Sequence, residues 1–139
     1  LPLGRGFSPW TWMILEGHTD IPVCLIEAAE KVDSGSIIYK DYIALEGHEL
    51  INEIRTLIGD KTVELCTRFI NAASPPTGVS QVGEATWYRR RYPIDNEIDP
   101  NKSLQDIFNQ MRVADNDSFP VFFKLNGKTY NLKIEKVKQ

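Results

Sequence analysis

The stretch from Leu1 to Asp33 constrains this chain most. Leu1-Pro2-Leu3-Gly4-Arg5-Gly6 is a Gly/Pro-rich loop, and Ser8-Pro9-Trp10-Thr11-Trp12 follows it. A continuous apolar run, Ile21-Pro22-Val23-Cys24-Leu25-Ile26, leads to the turn Asp33-Ser34-Gly35. Over residues 1–12, loop-like at first, two glycines and two prolines interrupt any period. Ser8 is placed to cap a short helix with Pro9 at its first position, running through Trp10, Trp12, Met13, Ile14 and Leu15 to Gly17. The run 21–26 has strand length and no alternation, which predicts a strand buried on both faces at the edge of a parallel or mixed sheet. Asp33-Ser34-Gly35 then turns the chain into a second strand from Ile37 to Leu45, bent near Lys40-Asp41. The sequence starts inside a loop, without a methionine or a signal-type n- and h-region. The expectation is the back part of a larger polypeptide whose front strands lie ahead of Leu1.

The clearest helix covers about 47–72. Leu50, Ile51, Ile54, Leu57, Ile58, Leu65, Cys66, Phe69 and Ile70 recur at three- and four-residue steps, with Glu49, Glu53, Arg55, Glu64 and Arg68 mostly opposite. Gly59 marks either a kink or a break into two helices. Ser74-Pro75-Pro76-Thr77-Gly78 ends the pattern. The organisation read from this is a core over residues 1–74, a linker over 75–84, and a small β-rich part over 85–139. The last part contains a short strand at Ala85–Tyr88 and a helix capped by Ser103 with Leu104, Ile107, Phe108 and Met111 as its apolar face. It closes with a hairpin, Phe119 to Leu125 and Lys128 to Val137, around Asn126-Gly127.

Composition narrows the function classes. The 139 residues are 42% hydrophobic and 25% charged, a globular profile, with net charge −3. That balance gives no global support for nucleic acid or anionic membranes as partners. No apolar run approaches the roughly 20 residues of a membrane span. Cys24 and Cys66 read as buried free thiols of a reducing compartment, and the cytoplasm is the expected location. His18 and His48 have neither metal-ligand nor triad spacing and read as solvated, so no metal is expected. Arg89-Arg90-Arg91 is the one dense basic patch. It is either a phosphate, nucleotide or tRNA contact or a solvated run.

On its residues alone, Asp33 is a carboxylate at a strand end, where ligands can approach, or a turn aspartate bonding its own backbone. Here the sequence resembles a known family. Leu1-Pro2-x-x-Arg5-Gly6, Pro9-x-x-Trp12 and Val32-Asp33-Ser34-Gly35 are similar to the second half of the signature of the 10-formyltetrahydrofolate-dependent formyltransferases. Tyr88-Arg89-Arg90-Arg91-Tyr92-Pro93, Glu97-Ile98-Asp99, Leu104-x-x-Ile107-x-Asn109-x-x-Arg112 and Phe119-Pro120 resemble the C-terminal part of the sugar N-formyltransferases and methionyl-tRNA formyltransferases. Pro100 and Pro120-Val121 depart from the common pattern.

The resemblance implies an α/β fold: the C-terminal part of a Rossmann-like formyltransferase core, followed by a small barrel-like subdomain. It implies transfer of a formyl group from 10-formyltetrahydrofolate, with no metal, to the amine of a nucleotide-linked amino sugar. The alternatives are methionyl-tRNA as acceptor, hydrolysis of the formyl donor, or a non-catalytic fragment or interaction module. Asp33 maps onto the third member of the family's Asn, His and Asp trio. The Asn-x-His segment would precede Leu1, so this piece alone is expected to be inactive and to bind folate weakly. Ala29, Glu30, Lys31, Val32 and Gly35 are the expected folate contacts. Arg5, Gly6 and Trp12 are the expected substrate contacts, although Arg5 reads equally well as a surface arginine and Trp12 as core. A homo-oligomer is a further possibility.

Overall fold

A computed structural model describes residues 1–137. The element order is β1 (Arg5–Gly6), α1 (Pro9–Leu15), β2 (Asp20–Ile26), β3 (Ile37–Ala44), α2 (Ile51–Ile70), β4 (Trp87–Tyr88), a 3-10 turn (Pro93–Asn96), α3 (Leu104–Arg112), β5 (Val121–Leu125) and β6 (Lys128–Leu132). The strands form three two-stranded sheets among the described residues: β1 parallel to β4, β2 antiparallel to β3, and β5 antiparallel to β6.

The short helix α1 forms where the sequence places it, with Pro9 in its first turn. Ser8 does not cap it as expected. Its backbone is left-handed (φ 49°) and its side chain makes no capping bond, while its carbonyl accepts from the N–H of Thr11 and Trp12. Strand β2 is not buried on both faces as its apolar run suggested. It pairs antiparallel with β3, only Ile21 is fully buried, and the following residues are half-buried. Its second edge pairs with no strand among the described residues. The irregularity of β3 is a bulge near Ile38, between the pairs Leu25–Tyr39 and Ile26–Ile37, and not a bend at Lys40-Asp41. Cys24 and Cys66 are free and half-buried rather than buried.

Helix α2 runs unbroken through Gly59, which meets nothing within contact distance of an added Cβ. It starts at Ile51, later than expected, because Gly47 takes φ +95° and Glu49 turns inward. Glu49 was expected on the outer side. It is 6% exposed and accepts the N–H groups of Glu46 (2.7 Å) and Gly47 (3.0 Å). Burial pushes its pKa up, but these backbone bonds outweigh that and hold it below the ordinary value. Its partner is Arg112 at the end of α3, 2% exposed and 3.3 Å away. Arg112 also donates from Nε to Asn109 Oδ1 (2.8 Å).

This pair sits where two cores meet. One joins Ile14, Ile21, Ile43, Leu45 and Ile54 with Val113; the other joins Ile98, Ile107, Met111, Ala114 and Val121. Residues 111–114 therefore serve both, alternating between them. In α3, Ser103 Oγ accepts the Asp106 N–H (3.2 Å), as the sequence indicates, but Leu104 is 69% exposed and lies off the buried face.

The hairpin turn is also as read: Asn126 (φ 50°) and Gly127 (φ +71°) have the positive angles of a type I′ turn. Strand β6 ends at Leu132, short of Val137. Beyond it, Asn116 substitutes for a strand partner, donating to the Ile134 carbonyl (2.8 Å) and accepting the Ile134 N–H (3.2 Å). The described residues hold this hairpin as a two-stranded sheet and do not close it into a barrel; Phe122 also bridges to Glu97.

Two outcomes follow from these contacts. Arg112→Met leaves the Glu49 carboxylate buried without its cation and lowers the unfolding free energy by about 3–5 kcal/mol in urea titration; a loss under about 1 kcal/mol contradicts the pairing. Asp95 carries part of the pH dependence, beside Asp115, whose carboxyl the Ser118 N–H and the Arg55 side chain also hold down. The side-chain bond from Arg89 holds its carboxyl down from 3.8 to about 2. A folded-state pKa below the unfolded one adds stability that is present above the unfolded value and lost as pH falls through the folded one. Asp95→Asn is therefore expected to lose less stability than the wild type between about pH 5 and about pH 2. Identical losses in the two proteins would remove Asp95 from the acid response.

Candidate functional site

The loop between β2 and β3 carries Asp33, and its neck is closed by backbone. The Glu27 N–H donates to the Ser36 carbonyl (2.9 Å). Gly35 packs so closely beneath it that an added Cβ would lie 1.8 Å from the Glu27 carbonyl oxygen. Ser34 donates twice to the Lys31 carbonyl, from its N–H (3.3 Å) and its Oγ (2.7 Å). These bonds fold Lys31–Ser34 into a turn with Asp33 left-handed at φ 57°, a conformation Asp tolerates better than most residues.

The carboxylate is fixed from outside the loop. Asp33 Oδ2 accepts the N–H of Gly6 (2.9 Å). The geometry follows from strand alternation. Arg5 in β1 and Phe7 just after it donate their N–H groups to the carbonyls of Thr86 (2.9 Å) and Tyr88 (3.1 Å) in the β4 segment. The intervening Gly6 N–H must point the other way, toward Asp33. Only glycine fits there: φ is +100°, and a Cβ would sit 2.4 Å from the Tyr88 carbonyl oxygen. Beside Asp33 lies a cavity of about 250 Å³ with Leu1, Trp10, Met13, Ile21, Ile26 and Ile58 among its walls. One carboxylate thus borders an otherwise largely apolar hollow.

The structure sorts the sequence-derived candidates. Asp33, Gly6, Arg5 and Gly35 come together. Ala29, Glu30, Lys31 and Val32 lie on the exposed side of the loop, outside the cavity walls. Arg5 faces away from the cavity; its Nη2 donates to Gln81 Oε1 (2.7 Å), and its guanidinium lies 5.5 Å from the Trp87 ring centre. Trp12 is on the far side of α1. Its Nε1 donates to the Arg89 carbonyl (2.9 Å), and its ring stacks on Tyr88 at 6.3 Å and 14°. Trp10 is the tryptophan that lines the cavity. Tyr88 donates to Glu16 Oε2 (2.5 Å), and burial, with that carboxylate, pushes its phenol up to about 12.

The arginine run is largely engaged within the chain. Arg89 forms a two-pronged pair with Asp95 (2.5 and 2.8 Å) while lying over Trp12. Arg91 lies over Trp12 and Phe119 and bonds the Asn96 side chain. His18 and His48 are exposed beside Glu16 and Glu46. Among the described residues, no group of three or more His, Cys, Asp or Glu side chains is arranged to hold a metal, and no helix is long and apolar enough to cross a membrane.

Sequence reasoning passed over Gln81. It comes from the segment after α2, which docks on β3 through paired Ile37–Val79 backbone bonds (2.8 and 2.9 Å). Its amide donates to the Asp33 carbonyl (2.8 Å) and the Gly35 carbonyl (2.7 Å). A lone glutamine in Ser80-Gln81-Val82 carries no pattern that a single sequence reveals.

No family's sequence profile matches the chain. Solved structures do. A methionyl-tRNA formyltransferase from Clostridium thermocellum superposes with TM-score 0.74 at 28% identity, over 99% of this chain and 60% of its own. A sugar N-formyltransferase from a Shewanella species gives 0.70 at 14% identity, over 99% and 59%. HypX from Aquifex aeolicus in complex with tetrahydrofolic acid gives 0.67 at 20%, over 94% and 23%. The second and third show a shared fold. The chain spans about 60% of the length of the first two relatives. The chain thus shares the fold of the formyltransferases and is similar to them, with its Asp33 turn docked on a Leu-Pro-x-x-Arg-Gly loop.

Proposed function

We propose that the polypeptide carrying these residues transfers a formyl group from 10-formyltetrahydrofolate to the amine of a nucleotide-linked amino sugar. The observation that carries the proposal is the Asp33 carboxylate, fixed beside an apolar hollow by the Gly6 N–H. An amine attacking a formyl carbon needs a base for its proton and a donor for the tetrahedral oxyanion. In the family those tasks belong to His and Asn of an Asn-x-His segment ahead of the Leu-Pro-x-x-Arg-Gly loop, a position preceding Leu1. Asp33 has the part of orienting the imidazole and favouring its charged form, as a fixed carboxylate beside a histidine does.

The folate donor supplies the activated formyl carbon. The residues here fit one wall of its site. A hollow of about 250 Å³ is smaller than the roughly 300–1,000 Å³ of a full ligand pocket, and its mostly apolar lining suits the face of a flat ring, whose polar edge needs donors and acceptors from elsewhere. The expected contact at Ala29–Val32 is read as backbone, on the rim formed by the loop. Gly35 acts from beneath, by letting that loop close on Glu27. In the same reading, the α/β part built from β2, β3 and α2 is the end of a Rossmann-like sheet, whose next strand adds to the open edge of β2.

The sugar reading is favoured over tRNA by charge. The net charge is −3, and two of the three arginines in the basic run are committed to Asp95, Asn96 and aromatic faces. The tRNA reading has one observation in its favour, the 28% identity to a methionyl-tRNA formyltransferase.

An acceptor panel separates the two. The whole polypeptide is assayed with 10-formyltetrahydrofolate against nucleotide-linked amino sugars and methionyl-tRNA. Formylation of an amino sugar with little salt dependence is expected; turnover of tRNA alone, falling steeply with salt, selects the second reading. Formate release without any acceptor indicates hydrolysis. Asp33→Ala is expected to cut turnover at least about 100-fold with the far-UV spectrum and melting curve preserved; near-normal turnover removes Asp33 from the chemistry.

A further inference from the structure

We propose that Gln81 is a positioning residue that sets the Asp33 carboxylate by clamping the Asp33–Gly35 turn to the Arg5–Gly6 loop. The inference rests on the formyl-transfer reading of Asp33 but adds a residue outside its motifs.

The clamp uses every polar atom of one amide. The two Nε2 protons go to the Asp33 and Gly35 carbonyls (2.8 and 2.7 Å), and Oε1 takes the Arg5 Nη2 proton (2.7 Å). Gly6, next to Arg5, returns its N–H to Asp33 Oδ2 (2.9 Å). The result is a closed circuit: Asp33 is held at its carbonyl by Gln81 and at its carboxylate by Gly6, and Gln81 is held by the residue adjoining Gly6. An amide is the side chain that supplies two donors and one acceptor at this reach. Glutamate keeps the Arg5 bond but turns its oxygens on two carbonyls. Methionine matches the length and removes all three bonds. Asparagine is one methylene too short to reach both sides.

The left-handed Asp33 backbone makes the clamp consequential. A non-glycine residue at φ 57° stays there only while its surroundings demand it, and the two Gln81 bonds pin its own carbonyl and that of Gly35 two residues on. Loosening the turn lets the carboxylate wander from its place at the cavity rim. A misplacement of about 1 Å at a reacting group costs on the order of 100-fold in rate.

The test is a double-mutant cycle in the whole polypeptide, with Gln81→Met, Asp33→Asn and the combination. Gln81→Met is expected to lower kcat about 10- to 100-fold with the KM for both substrates within about two-fold, because the chemistry and not the binding is disturbed. If Gln81 acts through Asp33, it adds little to the loss already caused by Asp33→Asn. Equal losses in both backgrounds, or a change in KM alone, overturn the proposal. Amide hydrogen exchange at Gly6 supplies a readout without activity. Gln81→Met is expected to raise exchange at that N–H at least about 10-fold while core amides of β3 keep their protection. Unchanged Gly6 exchange overturns the clamp even where transfer falls. A wild type that formylates nothing fails the functional reading, and the Gly6 exchange then decides the clamp by itself.

Discussion

The hydrogen bond from the Gly6 N–H to Asp33 Oδ2 joins parts of the chain that otherwise have little reason to meet. One end belongs to a loop with no regular structure beyond two residues of β1. The other belongs to a ten-residue return between β2 and β3. Each is shaped by steric constraints that leave few alternatives: Gly6 against the Tyr88 carbonyl, Gly35 against the Glu27 carbonyl. Because both glycines fill places that a Cβ cannot occupy, small changes there propagate to the carboxylate. The result is a carboxylate whose position is set by backbone atoms, which hold orientation better than long side chains do.

The same economy ties the two halves of the chain together. The segment between α2 and β4 is not a slack tether in the structure. It pairs with β3 at Val79, passes Gln81 under the Asp33 turn and then adds β4 beside β1. Trp12 seals this junction from the other side, stacked on Tyr88 with Arg89 above it. Farther off, the buried Glu49–Arg112 pair fastens the start of α2 to the end of α3. A partnered ion pair in that position adds less net stability than specificity: it rewards one docking of α3 on the first core and penalises any that leaves either charge alone.

Local signals were legible wherever backbone chemistry sets the answer by itself. Pro9 marked α1, Asn126-Gly127 the hairpin, Ser103 with Asp106 the start of α3, and the three- and four-residue steps the body of α2. Asp33 stood out only once its flanking residues matched a family pattern, because an Asp-Ser-Gly turn is common in any fold. What stayed hidden was decided by partners distant in sequence. The apolar run of β2 looks the same whether its neighbour runs parallel or antiparallel. Glu49 reads as an outer-face residue until Arg112, 63 positions away, is brought beside it. Gln81 means nothing until Asp33, Gly35 and Arg5 converge on its amide. The arginine run read as either a phosphate contact or a solvated surface run, and only the structure shows Arg89 and Arg91 turned onto Asp95, Asn96 and two aromatic rings.

The central claim is that the carboxylate of Asp33 faces the one-carbon chemistry of a reduced folate. A crystal structure of the whole polypeptide with a hydrolysis-resistant formyl-folate analogue tests it most directly. The account predicts the heterocycle along the wall formed by Trp10, Met13 and β2, with the one-carbon group on the Asp33 side and the Gly6 bond intact. A folate seated elsewhere, with Asp33 turned to solvent or bonded only within its own turn, would contradict it.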